Sequence, residues 1–194
     1  MSRRFLSPTS LLIVAIGAAC SSCSSCWIAR EPETSPQAYR EAVTAFYTGV
    51  SAMQTTQEVL AREKFDRVVA LVPQEPAGLA NLGLLLLRQQ ELEQGAQLLA
   101  RAAVLAPESA AIQRLQALAE SRRGNLTEAI RHWRRALELD PTDVEAAYAL
   151  ALETERQGGP DNDAEAGRIL EQLLARRENL AARLEYVRIA DRRG

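Results

Sequence analysis

Five sets of residues recur along this chain at a spacing of 34 positions, and this period is the strongest constraint on its fold. The two clearest sets are a proline at positions 73, 107 and 141 and a leucine two residues before each proline. The other three sets are Gly49, Gly83, Ala117 and Ala151; Ala61, Gly95 and Ala129; and Phe65, Leu99 and Trp133. Five independent sets at one spacing indicate an array of repeated structural units.

Each set has a physical role in a pair of packed helices. A proline cannot continue a helix, so the three prolines each end the second helix of a unit. The glycine and alanine positions let two helices approach closely, and the large residue at 65, 99 or 133 fills the space between units. Because one pair cannot bury its apolar stripe alone, neighbouring pairs must stack. The sequence therefore predicts an all-α fold, an α-solenoid of antiparallel helix pairs, and the low aromatic content of 5% argues against a β-sandwich.

Part of the repeat resembles a known family. Residues 124–130 and 136–141 resemble the second half of a tetratricopeptide (TPR) repeat, and Leu82, Gly83 and Leu86 resemble its first half. The TPR unit is a helix–turn–helix of 34 residues. The resemblance implies a TPR-type solenoid of about four repeats plus a terminal helix, in a domain covering residues 38–194. The expected units are 42–75, 76–109, 110–143 and 144–179, followed by a final helix at 180–193.

Two departures from the period stand near the C-terminus. The fourth unit carries about three extra residues at 158–163, which we expect in a surface turn, and Glu178 replaces its closing proline. The helix at 180–193 has no partner helix before Gly194. It could be a solvating cap, or the chain could be the front part of a longer protein.

The first 19 residues have the layout of a secretory signal peptide. Arg3 and Arg4 precede an apolar segment at 11–16, and small residues follow at 17–19. The apolar segment is shorter than the roughly 20 residues that a membrane-spanning helix needs. Residues 16–20 resemble a bacterial lipobox, which implies a lipid on Cys20 and, from Ser21, the periplasmic side of the outer membrane. An ordinary cleaved signal of a periplasmic or secreted protein, or an uncleaved anchor, is the alternative.

Residues 20–37 are expected to form the anchor cysteine and a flexible tether. Serine, glutamate, threonine and two prolines dominate this segment, so it offers little apolar surface to bury. Lipid chains buried at about 0.8 kcal/mol per CH₂ would hold the protein at the membrane. The sequence thus predicts an exported domain, anchored through its N-terminus.

The inventory of reactive residues argues against an enzyme. The chain has one histidine, His132, and its three cysteines all lie between positions 20 and 26, too few for a zinc site. No nucleotide-binding or metalloprotease motif is present. The net charge of −2 gives no electrostatic reason to bind nucleic acid. We expect no catalysis, no cofactor, no metal and no small-molecule substrate.

In TPR proteins the first helix of each unit faces a concave groove, so the resemblance nominates partner-binding residues by position. They are Phe46, Val50, Ala80, Leu84, Leu87, Arg88, Arg114, Leu118, Arg122, Tyr148, Leu152 and Arg156. The apolar members would form a floor for a peptide or helix, with Arg88, Arg122 and Arg156 beside it to bind carboxylates. Alternatively, these arginines only contact solvent. The chaperone-binding subtype with paired asparagines and lysines is disfavoured, because Asn81 alone matches and Lys64 is the only lysine.

These patterns predict a non-catalytic protein-interaction scaffold of the bacterial cell envelope. The repeat region also looks similar to the segment that precedes the propeller in FG-GAP/ASPIC/UnbV-type secreted proteins, at 46–47, 81–83, 120–125 and 155–159. A module of such a longer protein is therefore one alternative. An assembly-factor lipoprotein of pilus or outer-membrane machinery is another.

Overall fold

A computed structural model describes residues 35–176 and 180–193. All regular structure in these ranges is helical. The helices are α1 (Pro36–Gln54), α2 (Glu58–Leu71), α3 (Pro76–Arg88), α4 (Leu92–Leu105), α5 (Ala110–Arg123), α6 (Leu126–Leu139), α7 (Val144–Gln157), α8 (Pro160–Arg176) and α9 (Leu180–Arg193). The signal peptide and Cys20, predicted within residues 1–20, lie outside the described residues.

The helices pack as successive pairs, which confirms the predicted all-α stack. α1 packs on α2, α3 on α4, α5 on α6 and α7 on α8. Each pair then packs on the next through α2 and α3, α4 and α5, and α6 and α7, while α9 packs on α8. We call α1, α3, α5, α7 and α9 the A helices, and the other four the B helices. Buried residues form a series of clusters along the stack in place of one central core.

The first helix begins earlier than expected. α1 starts at Pro36, inside the interval assigned to the tether and two residues before the expected start of the domain at residue 38. The reason is local: the Ser35 hydroxyl accepts a hydrogen bond from the backbone N–H of Ala38 at 3.1 Å, and Pro36 takes the first helical position. Both features favour helix initiation.

A turn with a left-handed residue follows each of the first four A helices. The residues are Thr56, Gln90, Gly124 and Gly158, again at intervals of 34, with φ angles of 59°, 67°, 83° and 80°. This conformation reverses the chain before the B helix begins. The three extra residues of the fourth unit do not lengthen this turn, as the sequence had suggested. They extend the B helix, because α8 begins at Pro160 and has 17 residues against 14 in α6.

The small residues act as predicted at the closest helix contact, between α3 and α4. A Cβ placed on Gly83 would lie 2.8 Å from Leu99 Cγ and 3.0 Å from the carbonyl oxygen of Gly95. A Cβ on Gly95 would lie 2.9 Å from the carbonyl oxygen of Gly83. The two backbones therefore touch at a place where only glycine fits.

The outer face of α1 is polar. Thr44, Thr48 and Ser51 stand where α3 has Gly78, Leu82 and Leu85, the residues with which α3 packs against α2. The two threonine hydroxyls donate to backbone carbonyls four residues earlier in α1, at 3.0 and 2.8 Å. This face is thus suited to contact with water.

Candidate protein-binding surface

The A helices lie side by side, α1 beside α3 and α3 beside α5, and together present what we call the A-helix face. Six of the twelve nominated residues are half-buried on these helices. They are Phe46, Val50, Leu84, Leu118, Tyr148 and Leu152. They are the apolar residues that the sequence assigned to a binding floor, and part of each side chain is reachable from solvent.

Two nominated residues are not available to a partner. Leu87 is 0% exposed and Ala80 is 5% exposed, and both belong to the buried cluster between α3, α4 and α5. Their nomination was wrong, because both side chains pack inside the stack. Position in the repeat fixes which helix carries a residue, but the size of its neighbours decides how deeply it is buried.

The four nominated arginines are largely engaged within the protein. Arg88 lies 3.4 Å from a Glu58 carboxylate oxygen, and Arg156 lies 3.5 Å from Glu153. The two arginine side chains are 36% and 59% exposed, so each ion pair contributes about 1 kcal/mol or less. The basic row is therefore mostly neutralised in the free protein.

Arg114 and Arg122 join neighbouring units. Arg114 binds Asp143 at 3.2 Å and Glu145 at 2.9 Å, so it links α5 to the start of α7. Arg122 donates to the backbone carbonyl of Leu87 at 3.0 Å, near the end of α3. Within the described residues no carboxylate pairs with Arg122, which leaves its remaining N–H groups for an external acceptor.

An exposed apolar stripe on α1 was missed by the sequence reasoning. Tyr39, Val43 and Tyr47 are 53%, 38% and 69% exposed and lie four residues apart, on one side of the helix. The Tyr47 ring meets the Phe46 ring edge-on at 5.6 Å. The stripe borders a cleft of about 250 Å³ walled by Val68, Val72 and the start of α3. The four-residue spacing was a signal that could have revealed it.

Helix α1 buries its small residues and exposes its large ones. Ala42, Ala45, Gly49 and Ala52 face α2, whose Phe65 ring lies against Gly49. An ordinary amphipathic helix does the reverse, because large apolar side chains gain most from burial. Exposed apolar side chains grouped in this way are typical of surfaces that bind another molecule.

His132 has a structural environment. Its Nδ1 lies 2.9 Å from Gln113 Oε1, and the Gln113 amide donates to the Pro107 carbonyl at 3.3 Å. Nδ1 therefore carries the proton, and Nε2 accepts from Arg131 at 2.9 Å. Burial and the Arg131 charge lower the pKa of His132, which keeps the ring neutral.

Neither a metal site nor a membrane span is found in the described ranges. No group of three or more histidine, cysteine, aspartate or glutamate side chains among residues 35–176 and 180–193 could hold a metal ion. None of the helices in those ranges has both the length and the apolar character needed to cross a bilayer.

Comparison with known proteins agrees with this architecture. Residues 117–158 match the family model of the TPR repeat. No match was found among curated proteins. Similar solved structures include a mutant O-GlcNAc transferase of Thermobaculum terrenum, with a TM-score of 0.69, 19% identity and coverage of 73% of this chain. This chain spans only 27% of the transferase.

Two smaller proteins are also similar. MamA of Desulfovibrio magneticus RS-1 has a TM-score of 0.63 and 20% identity, with coverage of 69% of this chain and 74% of MamA. The second TPR domain of human RPAP3, solved with the HSP70 peptide SGPTIEEVD, has a TM-score of 0.56 and 20% identity, with coverage of 60% and 97%. At these identities the likeness shows the fold, a TPR-type α-solenoid.

Proposed function

We propose that this protein is a non-catalytic scaffold that binds a segment of another protein on its A-helix face. The exposed stripe of Tyr39, Val43 and Tyr47 carries the proposal. The Tyr47 ring contacts Phe46, which packs against the same cluster as Val50. A row of this kind matches the i, i+4 spacing of apolar anchors on a helix, or alternate side chains of an extended peptide.

The side chains of the A-helix face favour a ligand with apolar anchor residues over a ligand with a row of acidic residues. Tyrosine is enriched among residues that dominate binding energy, because it buries a large area with few rotatable bonds. Arg88, Arg114 and Arg156 already have carboxylate partners, so an acidic ligand would have to displace them. Arg122 is the exception, and we assign it one carboxylate or carbonyl oxygen of the partner. The TPR domain of RPAP3, solved with a peptide, supports a peptide-binding use of this fold.

Loss of an anchor side chain is expected to weaken binding without unfolding the stack. For peptides selected on the wild-type chain from a random 16-residue library, Tyr47→Ala and Leu84→Arg should each raise the dissociation constant about tenfold or more, and Tyr148→Ala should raise it less. Fluorescence anisotropy measures the affinity, and circular dichroism checks that helicity is kept.

Val59→Ala is the matched control for these variants. Val59 is an exposed apolar residue of α2, on a B helix away from the floor, so its removal should leave affinity unchanged. Selected peptides that bind all four variants as tightly as the wild type would place the binding surface elsewhere.

The setting of this scaffold is a separate part of the proposal and rests on the sequence of residues 1–20. Export with a lipid on Cys20 would hold the stack at the periplasmic side of the outer membrane. Wild-type cells fed radioactive palmitate should then yield labelled protein, and a Cys20→Ala variant should not. Unlabelled wild-type protein would remove the anchor and favour a periplasmic or secreted form.

Two narrower settings follow from the same sequence patterns. One is the TPR module of a longer FG-GAP/ASPIC/UnbV-type secreted protein, and the other is an assembly factor of pilus or outer-membrane machinery. In both settings the partner would occupy the A-helix face.

A further inference from the structure

A second surface stands out when equivalent residues of successive units are compared. One trio of positions recurs where a B helix, the next A helix and the next B helix meet. The three trios are Val69, Leu79 and Leu98; Ala103, Gln113 and His132; and Leu137, Ala147 and Ile169. The last member of the third trio is displaced by the three extra residues in α8. Because the backbone setting repeats, differences among the trios come from the side chains.

The first two trios are closed by their central residue. Leu79 is 0% exposed and fills the first site, with Val69 and Leu98 packed against its cluster. In the second site Gln113 spans the gap and hydrogen-bonds His132 at 2.9 Å. The cleft beside it has polar and charged side chains on its walls, among them Arg131 and Arg135, together with Pro107 and Ile130. Neither site offers an open apolar hole.

The third site is open because its central residue, Ala147, is too small to fill it. The result is a cleft of about 530 Å³, which we call the unit-four cleft. Its apolar walls are Leu137, Val144, Leu150, Ile169 and Leu173. A volume of this size, with mostly apolar walls and a few polar groups at the edge, is typical of a binding site.

One acidic side chain, Asp143, stands at the entrance to the unit-four cleft, at the start of α7. Asp140 and Glu145 are close by in sequence. Hydrogen bonds from Thr142 lower the pKa of Asp140, so this carboxylate is ionised at neutral pH. Arg114 is shared between Asp143 and Glu145. No lysine or arginine lines the cleft in the described part of the chain, so the charged group of its lining is the Asp143 carboxylate.

We propose that the unit-four cleft binds a bulky aliphatic side chain, carried beside a lysine or arginine on a segment of a protein partner. The apolar part of the ligand is argued from the chain itself, because Leu79 fills the equivalent place in the second unit. The basic neighbour is argued from charge complementarity with the acidic entrance. None of the residues nominated for the A-helix face lines this cleft, and the proposal does not depend on the function proposed for that face.

Short synthetic peptides and methyl NMR test the proposal on the full-length chain. The probes are three nine-residue peptides: a central leucine flanked by lysines, the same leucine flanked by glutamates, and a central alanine flanked by lysines. The lysine-flanked leucine peptide should shift the methyl signals of Ala147 and Ile169 in a saturable manner and leave that of Leu84, on the A-helix face, in place. Its affinity should exceed that of the other two peptides about fivefold or more.

Two substitutions of residues that line the unit-four cleft test the same proposal. Ala147→Leu copies the arrangement at Leu79 and should weaken the lysine-flanked peptide about tenfold or more. Gln172→Lys puts a positive charge at the exposed rim and should weaken it without altering the apolar walls. Ala100→Leu, at an exposed position of α4, is the matched control and should bind as the wild type does.

Three results would overturn the proposal. They are the absence of saturable shifts at Ala147 and Ile169, equal affinity for the lysine-flanked and glutamate-flanked peptides, and unchanged affinity in the Gln172→Lys variant. Shifts at these methyls that depend on protein concentration without any peptide would show a second copy of this chain in the cleft, and would overturn it as well.

Discussion

Replacing Trp133 by alanine is expected to lower the free energy of unfolding by about 3–5 kcal/mol, whereas replacing it by phenylalanine should change it by less than about 1 kcal/mol. The alanine variant loses the largest side chain of its buried cluster and leaves a cavity. The phenylalanine variant keeps most of the apolar contact. It also removes the indole Nε1, a buried donor that has no hydrogen-bond partner in the described part of the chain.

Two opposing contributions to the free energy of unfolding decide the stability of the phenylalanine variant. A buried unsatisfied N–H costs about 1–3 kcal/mol, which offsets the smaller area buried by phenylalanine. Phe65 occupies the same repeat position in the first unit, so the position accepts a phenylalanine ring. Urea unfolding followed by circular dichroism gives both values. A phenylalanine variant as unstable as the alanine variant would mean that an ordered water already satisfies Nε1.

Gly83→Val should be the most damaging exchange at a glycine, with a loss of about 3 kcal/mol or more. The first added carbon alone would lie 2.8 Å from Leu99 Cγ and 3.0 Å from the Gly95 carbonyl oxygen. Relief requires α3 and α4 to move apart, because one of the contacts is with backbone. The same urea experiment measures the loss.

Ala100→Val provides the comparison for helix propensity. Ala100 is exposed on α4, where a β-branched residue costs only about 0.5 kcal/mol relative to alanine. A Gly83→Val loss no larger than that of Ala100→Val would show that the two helices can separate freely. It would contradict the close contact assigned to the glycine pair.

The helix pairs could be predicted because their determinants are residue types with strong local effects. Pro73, Pro107 and Pro141 end helices wherever they occur, and the small residues at 83 and 95 have little use in a helix except close packing. The 34-residue period is therefore visible in the sequence from these residues. The fold class therefore followed from spacing alone.

The left-handed turns after the A helices could not be predicted from residue types at the repeat positions. Gly124 and Gly158 are ordinary choices for positive φ, but Thr56 and Gln90 stand at the same place in the first two units. Threonine is β-branched and disfavours this conformation. The stack imposes the turn on these residues, so their types carry no signal of it.

The 34-residue spacing also could not predict how deeply the site residues are buried or which residues form ion pairs with them. Leu84 and Leu87 are both leucines of α3, yet one is half-buried and the other is fully buried. Arg114 finds its carboxylates on α7, 29 and 31 residues away in sequence. Such contacts depend on how units are placed against each other, which a repeat period does not specify.

The close backbone contact between Gly83 and Gly95 has a consequence for how far apart two bound segments can lie. The contact lies in the second unit, between the stripe on α1 and the cleft in the fourth unit. It leaves α3 and α4 little freedom to slide against each other. For a single chain that carries both kinds of binding segment, attachment at one end presents the other at a high effective concentration only when the linker spans the gap. The stack would then act as a ruler, selecting partners by the number of residues between their two segments.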